Sequence, residues 1–228
     1  MGRPRAGRPA RLGHDQGQVG QLSLAEILAA ALDLTHKDGV DSFTMRDLAE
    51  RLGVSPASLY HYVASKRRLK ELIADAVIDM MALPDGLPGA WDDKLRAMLL
   101  GQHRLISEYP GVGLLYIRER PTLAMLRITD GMLQLLLSTG LPAREALRCF
   151  EALTALAFGQ YVTDLRHPRS KDDVRARLRS VGRTDLDAFP ALLALQDEIG
   201  TRDPEEYFEH SVELLLTGIR ARVLAVRS

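Results

Sequence analysis

Apolar residues recur at helical spacing along most of this chain, and no stretch shows the strict alternation of a β-strand. The first periodic run follows a capping box of Ser23 and Glu26 and ends at Gly39. Another run begins at Ser65 and repeats the same spacing as far as Met80. The pattern of apolar and polar positions therefore predicts an all-α fold.

Two shorter helices joined by a tight turn are predicted between these runs. Thr44 and Asp47 can cap the first, and Gly53 can end it in the left-handed conformation that other residues avoid. Ser55 and Pro56 can cap and open the second helix. Its outer face is polar and aromatic, which suits the major groove of DNA. These features predict a helix-turn-helix that reads DNA.

Residues 53–69, with the sequence GVSPASLYHYVASKRRL, resemble the DNA-reading end of tetracycline-repressor-type (TetR family) regulators. The family pattern is a Gly-Val turn, a small-residue helix start, a Leu-Tyr ending and a Lys that opens the next helix. The resemblance implies three DNA-binding helices, a fourth helix as a lever and a helical regulatory domain. It also implies a homodimer joined by a four-helix bundle, to which we assign the helices near 142–166 and 204–225.

The segment 83–89, LPDGLPG, separates two predicted domains because its prolines and glycines break a helix. We expect a helix-turn-helix DNA-binding domain over residues 22–82. We expect a helical effector-binding and dimerisation domain over residues 90–228, and the resemblance to the family's tetracycline-responsive members extends into it.

The end of the chain predicts one more long helix, opened by Pro204. An apolar seam on this helix is spaced for packing against a partner helix. Its residues are Phe208, Val212, Leu215, Ile219 and Val223. Residues 167–187 are charged and weakly patterned, so we expect a mobile excursion there with room for one short helix.

Residues 1–21 are rich in Gly, Pro and Arg and poor in apolar residues, which predicts a basic arm that is disordered when free. Its two Gly-Arg-Pro triplets suit the narrow minor groove of DNA. The alternative is a solvated tail that adds only non-specific attraction.

The resemblance implies a set of residues that contact DNA. They are Thr44, Arg46, Pro56, Ala57, Ser58, Tyr60, His61, Tyr62 and Lys66. Arg46 can reach a guanine edge through two parallel hydrogen bonds. Tyr60, Tyr62 and Lys66 are placed to hold phosphates. The alternative for Arg46 is a surface ion pair with Asp47 or Glu50.

A polar residue on an apolar helical face indicates a ligand pocket in the second domain. Gln102 shares a face with Trp91 and Leu95, where its amide can orient a ligand or bond to the backbone as a core amide. The pocket candidates are Met98, Gln102, His103, Tyr116, Met132, Phe158 and Thr163. By the resemblance, Tyr116 stands where tetracycline-responsive members use a metal-binding His, which argues against a magnesium–tetracycline effector.

Charge and composition agree with a protein that meets DNA at one end. Residues 1–70 hold 11 Lys and Arg against 7 Asp and Glu, and the remaining residues hold 19 against 23. The single cysteine, Cys149, excludes an intramolecular disulfide.

No apolar run suits a signal peptide or a membrane span, so we expect a cytoplasmic protein. The histidines are not spaced for metal binding, and no cofactor is expected.

These features predict a homodimeric transcriptional regulator that represses a palindromic operator and leaves it when a small-molecule effector binds. Ligand binding would shift the fourth helix and change the separation of the two recognition helices, which must span about 34 to 36 Å. The alternatives are an activator or a DNA-binding protein without an effector. A helical small-molecule carrier or enzyme is a further alternative, although no catalytic cluster favours it.

Overall fold

The computed structural model describes residues 22–118, 122–166, 173 and 189–227. The helices within these ranges are α1 (Leu24–Asp38), α2 (Met45–Arg51), α3 (Pro56–Tyr62), α4 (Lys66–Asp79), α5 (Trp91–Glu108), α6 (Val112–Arg118), α7 (Leu123–Ser138), α8 (Ala143–Arg166), α9 (Pro190–Ala194), α10 (Gln196–Gly200) and α11 (Pro204–Arg227). A short 3₁₀ turn, Pro84–Gly86, lies between α4 and α5. The described residues contain no β-strand, and the all-α prediction is confirmed.

Local capping bonds form the pair of helices α2 and α3, which we call the reader. The Thr44 hydroxyl lies 2.9 Å from the Asp47 carboxylate in the capping box of α2. The Ser55 hydroxyl caps α3 by accepting a hydrogen bond from the Ser58 amide at 3.1 Å. Gly53, with φ 67°, joins the two helices in the left-handed conformation. The sequence prediction for this segment therefore agrees with the structure residue by residue.

The reader is held by α1 and α4 through a shared core. Ile27 of α1, Leu48 of α2, Leu59 of α3 and Ile73 of α4 are fully buried in this core. Burying each of these side chains contributes about 1.5–3 kcal/mol. The reader therefore shares its core with α1 and α4.

A second core lies among α5, α7, α8 and α11. The inner face of α11 is buried against α5 and α8, and its residues are Phe208, Val212, Leu216, Ile219 and Val223. The sequence analysis gave this seam to a partner helix, with Leu215 in place of Leu216. In the structure the seam packs within the chain, because α5 and α8 from the same chain already cover it.

The turn between α5 and α6 contacts the loop that precedes the reader. The Val40 amide donates a hydrogen bond to the Pro110 carbonyl at 2.9 Å. Gly111 has φ 88°, and a Cβ there would lie 2.9 Å from Val40 Cγ1, so only glycine fits. The core of α1 to α4 also continues into this region through Ile106, Val112 and Ala124. The domain boundary at 83–89 stays a prediction.

Several predictions concern residues outside the described ranges. These are the basic arm 1–21 and most of the excursion 167–187, of which only residue 173 is described. The short helices α9 and α10 were not predicted, since neither is long enough to show a helical period. None of the described helices is long and apolar enough to cross a bilayer.

Candidate nucleic-acid interface and ligand cavity

The outer side of the reader presents most of the residues predicted to contact DNA. Thr44, Arg46, Pro56, Ala57, Tyr60, His61 and Tyr62 are all exposed. Ser58 is half-buried, and its hydroxyl lies 2.8 Å from the Ser55 hydroxyl. Leu59 anchors α3 in the core, so the remaining residues of this short helix face outward. A buried anchor with a polar outer face is the arrangement that a recognition helix requires.

Arg46 forms no ion pair with any described residue. The carboxylate of Asp47 instead accepts hydrogen bonds from the Thr44 amide at 2.7 Å and from the Thr44 hydroxyl at 2.9 Å. These two bonds, the backbone one foremost, lower the pKa of Asp47. On the same helix, Arg51 pairs with Asp33. The guanidinium of Arg46 is therefore available for a base edge.

Lys66 is bonded to its own chain rather than extended into solvent. Its ammonium donates to the carbonyls of Phe43 and Asp41, the latter at 3.3 Å, and lies 5.2 Å from the centre of the Phe43 ring. Lys70 pairs with the Asp41 carboxylate. These bonds could not be predicted from the sequence, because the acceptors lie far from Lys66 along the chain. The side chain of the neighbouring Arg67 is 81% exposed.

A cavity of about 240 Å³ lies among α4, α5, α7 and α8, and we call it the large cavity to distinguish it from a smaller one beside it. A wider cleft of about 370 Å³ lies elsewhere, among the 3₁₀ turn, α5 and α7. The lining residues of the large cavity are Ile78, Met81, Gln102, Met125, Ile128, Thr129, Met132, Phe150, Thr154, Ala157 and Phe158. Polar groups come only from Gln102 and the two threonines, and Thr154 already donates to the Phe150 carbonyl at 3.0 Å. Such a lining suits an apolar ligand with few polar groups.

A cavity of about 10 Å³, which we call the small cavity, lies beside the large cavity. Its lining residues are Gln102, His103, Ile106, Gly113, Ala157, Phe158, Tyr161 and Phe208. Three of these residues, Gln102, Ala157 and Phe158, also line the large cavity. A volume of this size has room for about one water molecule.

A partly buried polar cluster holds His103 at the small cavity. Its Nε2 lies 3.2 Å from Asp164, and its ring stacks on Phe208 with the centroids 4.4 Å apart. The Asp164 carboxylate also accepts hydrogen bonds from Gln160 at 2.7 Å and from Arg202 at 2.9 Å. The cluster therefore ties α5 and α8 to the loop that leads into α11.

The structure places four of the predicted pocket residues at the two adjoining cavities, with His103 at the small cavity. Gln102, Met132 and Phe158 all line the large cavity. The Gln102 amide makes no hydrogen bond to another described residue. The alternative prediction, that this amide bonds to the backbone within the core, therefore has no support among the described residues. Ligand contact by these residues remains a prediction.

Met98 and Thr163 line neither of the two cavities, and the side chain of Tyr116 is not described. Met98 is buried in the core with α11. Thr163 is exposed, and its hydroxyl donates to the Gly159 carbonyl at 2.8 Å. Tyr116 belongs to α6, but its side chain lies outside the described residues.

Sequence analysis missed the residues that α4 and α7 contribute to the large cavity. Ile78 and Met81 come from the end of α4, and Met125, Ile128 and Thr129 come from α7. Their spacing is the same as that of core positions, so only the packing of α7 against α4 distinguishes them. The one available signal was the clustering of methionines, which often line adaptable binding surfaces.

Metal ligation finds no support in the described part of the chain. No group of three His, Cys, Asp or Glu residues there could hold an ion. Cys149 is buried beside Glu145, and burial followed by that carboxylate raises the pKa of its thiol. A thiol in this setting is an inert core group.

Family models match both halves of the chain. Residues 27–72 match the model described as bacterial regulatory proteins, tetR family. Residues 83–223, more than half of the chain, match the model described as tetracyclin repressor-like, C-terminal domain.

Individual proteins and solved structures agree with these matches. The tetracycline repressor protein class A from transposon 1721 of Escherichia coli is 29% identical over 206 residues, which are 89% of this chain and 92% of the relative. The TetR regulator SCO7222 from Streptomyces coelicolor has a TM-score of 0.68 at 25% identity, covering 88% of this chain and 98% of that one. ActR of Streptomyces coelicolor in complex with (S)-DNPA shares the fold, with a TM-score of 0.70 at 23% identity and coverage of 90% and 100%. The chain belongs to the tetR family of bacterial regulatory proteins, with a tetracyclin repressor-like C-terminal domain, and is a DNA-binding transcriptional regulator.

Proposed function

We propose that this regulator is a homodimeric repressor that leaves a palindromic operator when a small molecule enters the large cavity. Membership of the family supports operator binding by a dimer. The class A relative is named a tetracycline repressor, and ActR is described in complex with (S)-DNPA and with actinorhodin. Control of repression by a bound organic molecule is therefore the function to test.

The observation that carries the proposal is that α4 belongs to both sites. At its start, Lys66 bonds to the loop that precedes the reader. At its end, Ile78 lines the large cavity together with Met81, which lies just beyond the helix. The 14 residues of α4 span about 21 Å, so this one helix connects the two sites. A ligand that displaces Ile78 or Met81 therefore displaces the reader.

The outward faces of α8 and α11 are suited to a second copy of the chain. On α11, Leu214 and Leu224 are 63% and 65% exposed. On α8, the exposed residues Ala152, Ala155 and Gly159 are small enough for a partner helix to approach closely. We assign the four-helix bundle of the dimer to these faces. The dimer would hold its two readers about 34 to 36 Å apart, the spacing of successive major grooves.

We assign operator contact to the exposed outer side of the reader and to Lys66. Arg46 would read a guanine edge, Pro56 and Ala57 a thymine methyl, and Tyr60 and Tyr62 the phosphates. Residues 22–82 would act as the DNA-binding domain and residues 90–228 as the effector-binding and dimerisation domain.

Binding to the DNA that flanks the protein's own gene tests operator recognition. Fluorescence anisotropy at two salt concentrations compares the native duplex with a scrambled duplex of the same composition. We expect saturable, salt-sensitive binding that favours the native duplex. Equal and weak binding to both duplexes would contradict operator recognition at this locus.

A further inference from the structure

Tyr161 of α8 has a buried hydroxyl that donates no hydrogen bond to a described residue. Burial raises the pKa of this group, and hydrogen bonding from the backbone of Gly111 to its oxygen acts to lower it. The hydroxyl is therefore a neutral donor at physiological pH. A buried donor without an acceptor destabilises a protein, so this hydroxyl is a candidate donor to a bound ligand.

The two cavities adjoin each other, and residues with polar side chains gather at the small one, which we call the polar end. The large cavity is lined mainly by methionine, isoleucine and phenylalanine side chains, whereas the residues that border the small cavity include Gln102, His103 and Tyr161. Gln102, Ala157 and Phe158 form the wall between them. The small cavity has room for about one water-sized group, which is the size of a single ligand oxygen.

Tyr161 also contacts the turn that meets the loop before the reader. Its ring packs directly on Gly113, where a Cβ would lie 2.6 Å from the ring. The same turn contains Gly111, which leaves no space for a Cβ against Val40, and Pro110, which accepts the Val40 hydrogen bond at 2.9 Å. A shift of the Tyr161 side chain therefore reaches the DNA-binding half by a route separate from α4.

We propose that Tyr161 is the residue that recognises the effector's polar end and passes its presence to the turn at 109–113. The ligand class is an uncharged aromatic compound whose body fills the large cavity and whose carbonyl or ether oxygen accepts a hydrogen bond from Tyr161. The described residues that line the large cavity include no ionised side chain, which disfavours a charged ligand there. This assignment rests on the proposed function of a ligand-released repressor.

A pair of isosteric probes tests the assignment without DNA. Isothermal titration calorimetry of the full chain compares 2-acetylnaphthalene with 2-isopropenylnaphthalene, which has a methylene group where the first has its carbonyl oxygen. We expect the wild type to bind the ketone about five- to tenfold more tightly. Tyr161→Phe is expected to bind the hydrocarbon as well as the wild type does and to lose the preference for the ketone. Tyr109→Phe is the control: it removes a hydroxyl near the same turn that does not line either cavity, and we expect it to keep the preference for the ketone.

Three results would overturn the assignment. The first is a ketone preference that persists in Tyr161→Phe. The second is no measurable binding of either probe to the wild type up to its solubility limit. The third is a clear fall in the melting temperature of Tyr161→Phe, because it would show that the hydroxyl is already satisfied, by a buried water for example, in the free protein.

Operator anisotropy separates this assignment from the proposed function. We expect saturating ketone to weaken operator binding of the wild type more than that of Tyr161→Phe. Loss of the ketone preference in the variant, without any effect of ketone on operator binding, would support the subsite and contradict ligand-released repression. Release of the operator with the preference unchanged in the variant would support ligand-released repression and overturn the role of Tyr161.

Discussion

At the scale of single residues, the reader separates side chains that build its fold from those that remain available to DNA. Asp47 is occupied by the cap at Thr44, and Arg51 is occupied by Asp33. Arg46, between them on the same helix, keeps an exposed guanidinium without an ion pair to a described residue. Asp47 accepts the capping bonds and interacts with the charge of Arg46 without forming an ion pair with it.

Arg46→Ala tests whether this residue reads a base. We expect operator affinity to fall unequally across single base substitutions, because a bidentate contact to guanine is worth about 1–3 kcal/mol of discrimination. Arg51→Ala is the matched control, since it removes a cation from the same helix that is already paired. Anisotropy with a panel of substituted operators measures both. An unchanged base preference in Arg46→Ala would show that the guanine contact is wrongly assigned.

Lys66→Ala tests a phosphate contact from a residue that also bonds to the protein. If Lys66 holds a phosphate, affinity falls evenly across operator sequences and the slope of log K against log salt drops by about one unit. The bonds to Phe43 and Asp41 predict a lower melting temperature as well. A lower melting temperature with an unchanged salt slope would mean that Lys66 only supports the loop before the reader.

At the scale of helices, local signals were readable from the sequence and lateral packing was not. Thr44, Gly53 and Ser55 act on neighbours within a few residues, and the structure has the predicted caps and turn at each of them. The partner of the α11 seam could not be predicted in this way. Its spacing only shows that some helix covers it, and α5 and α8 of the same chain do so.

The candidate cavity shows the same limit. Gln102 was recognisable because a polar residue interrupts an apolar stripe. Ile78, Met81 and Tyr161 were not, because each has the spacing of an ordinary core residue and only contacts between distant segments place it at a cavity. The bonds of Lys66 to Phe43 and Asp41 were hidden for the same reason.

Ion pairs that join α11 to α5 and α8 predict a loss of stability in acid. Burial is the largest single influence on Asp92 and acts to raise its pKa, but the hydrogen bond from Arg220 at 2.6 Å, two backbone hydrogen bonds and the charge of Arg220 together lower it. Hydrogen bonds from Arg222 and Arg220 likewise lower the pKa values of Glu145 and Glu213. Groups with a lowered pKa in the folded state stabilise it above their unfolded pKa and lose this effect as the pH falls.

We therefore expect the unfolding free energy to be nearly constant between about pH 5 and 8 and to fall below about pH 4. Urea unfolding across this range measures it. Arg220→Met should show a shallower acid dependence, because Asp92 and Glu213 lose their common partner. If the unfolding free energy of the wild type and of Arg220→Met fell equally with decreasing pH, these ion pairs would have no role in acid stability.

At the scale of the whole molecule, family membership does not fix the effector. The relatives include tetracycline repressors, yet the described residues hold no group of His, Cys, Asp or Glu able to bind a metal. The resemblance places Tyr116 at the metal-binding position of tetracycline-responsive members, and a neutral phenol is a poor magnesium ligand. Discrimination among ligands would then come from the apolar lining and the polar end.

We expect tetracycline with magnesium to leave operator affinity unchanged within about twofold, because the described residues offer no ligand set for the metal. Anisotropy titrations with magnesium, and with EDTA in its place, measure this. Release of the operator that requires magnesium would contradict the prediction and would point to ligands outside the described residues.

The most direct test of the central claim, that the large cavity and the reader are coupled through the chain, is a thermodynamic cycle. Operator affinity is measured with and without a compound that calorimetry shows to bind the cavity, and the affinity of that compound is measured with and without operator. Coupling requires the two factors to be equal, and a factor of about 100 corresponds to about 2.7 kcal/mol. We predict that the compound weakens operator binding, and the operator weakens binding of the compound, by the same factor, well above one. A compound that fills the cavity and leaves operator affinity unchanged would contradict the coupling.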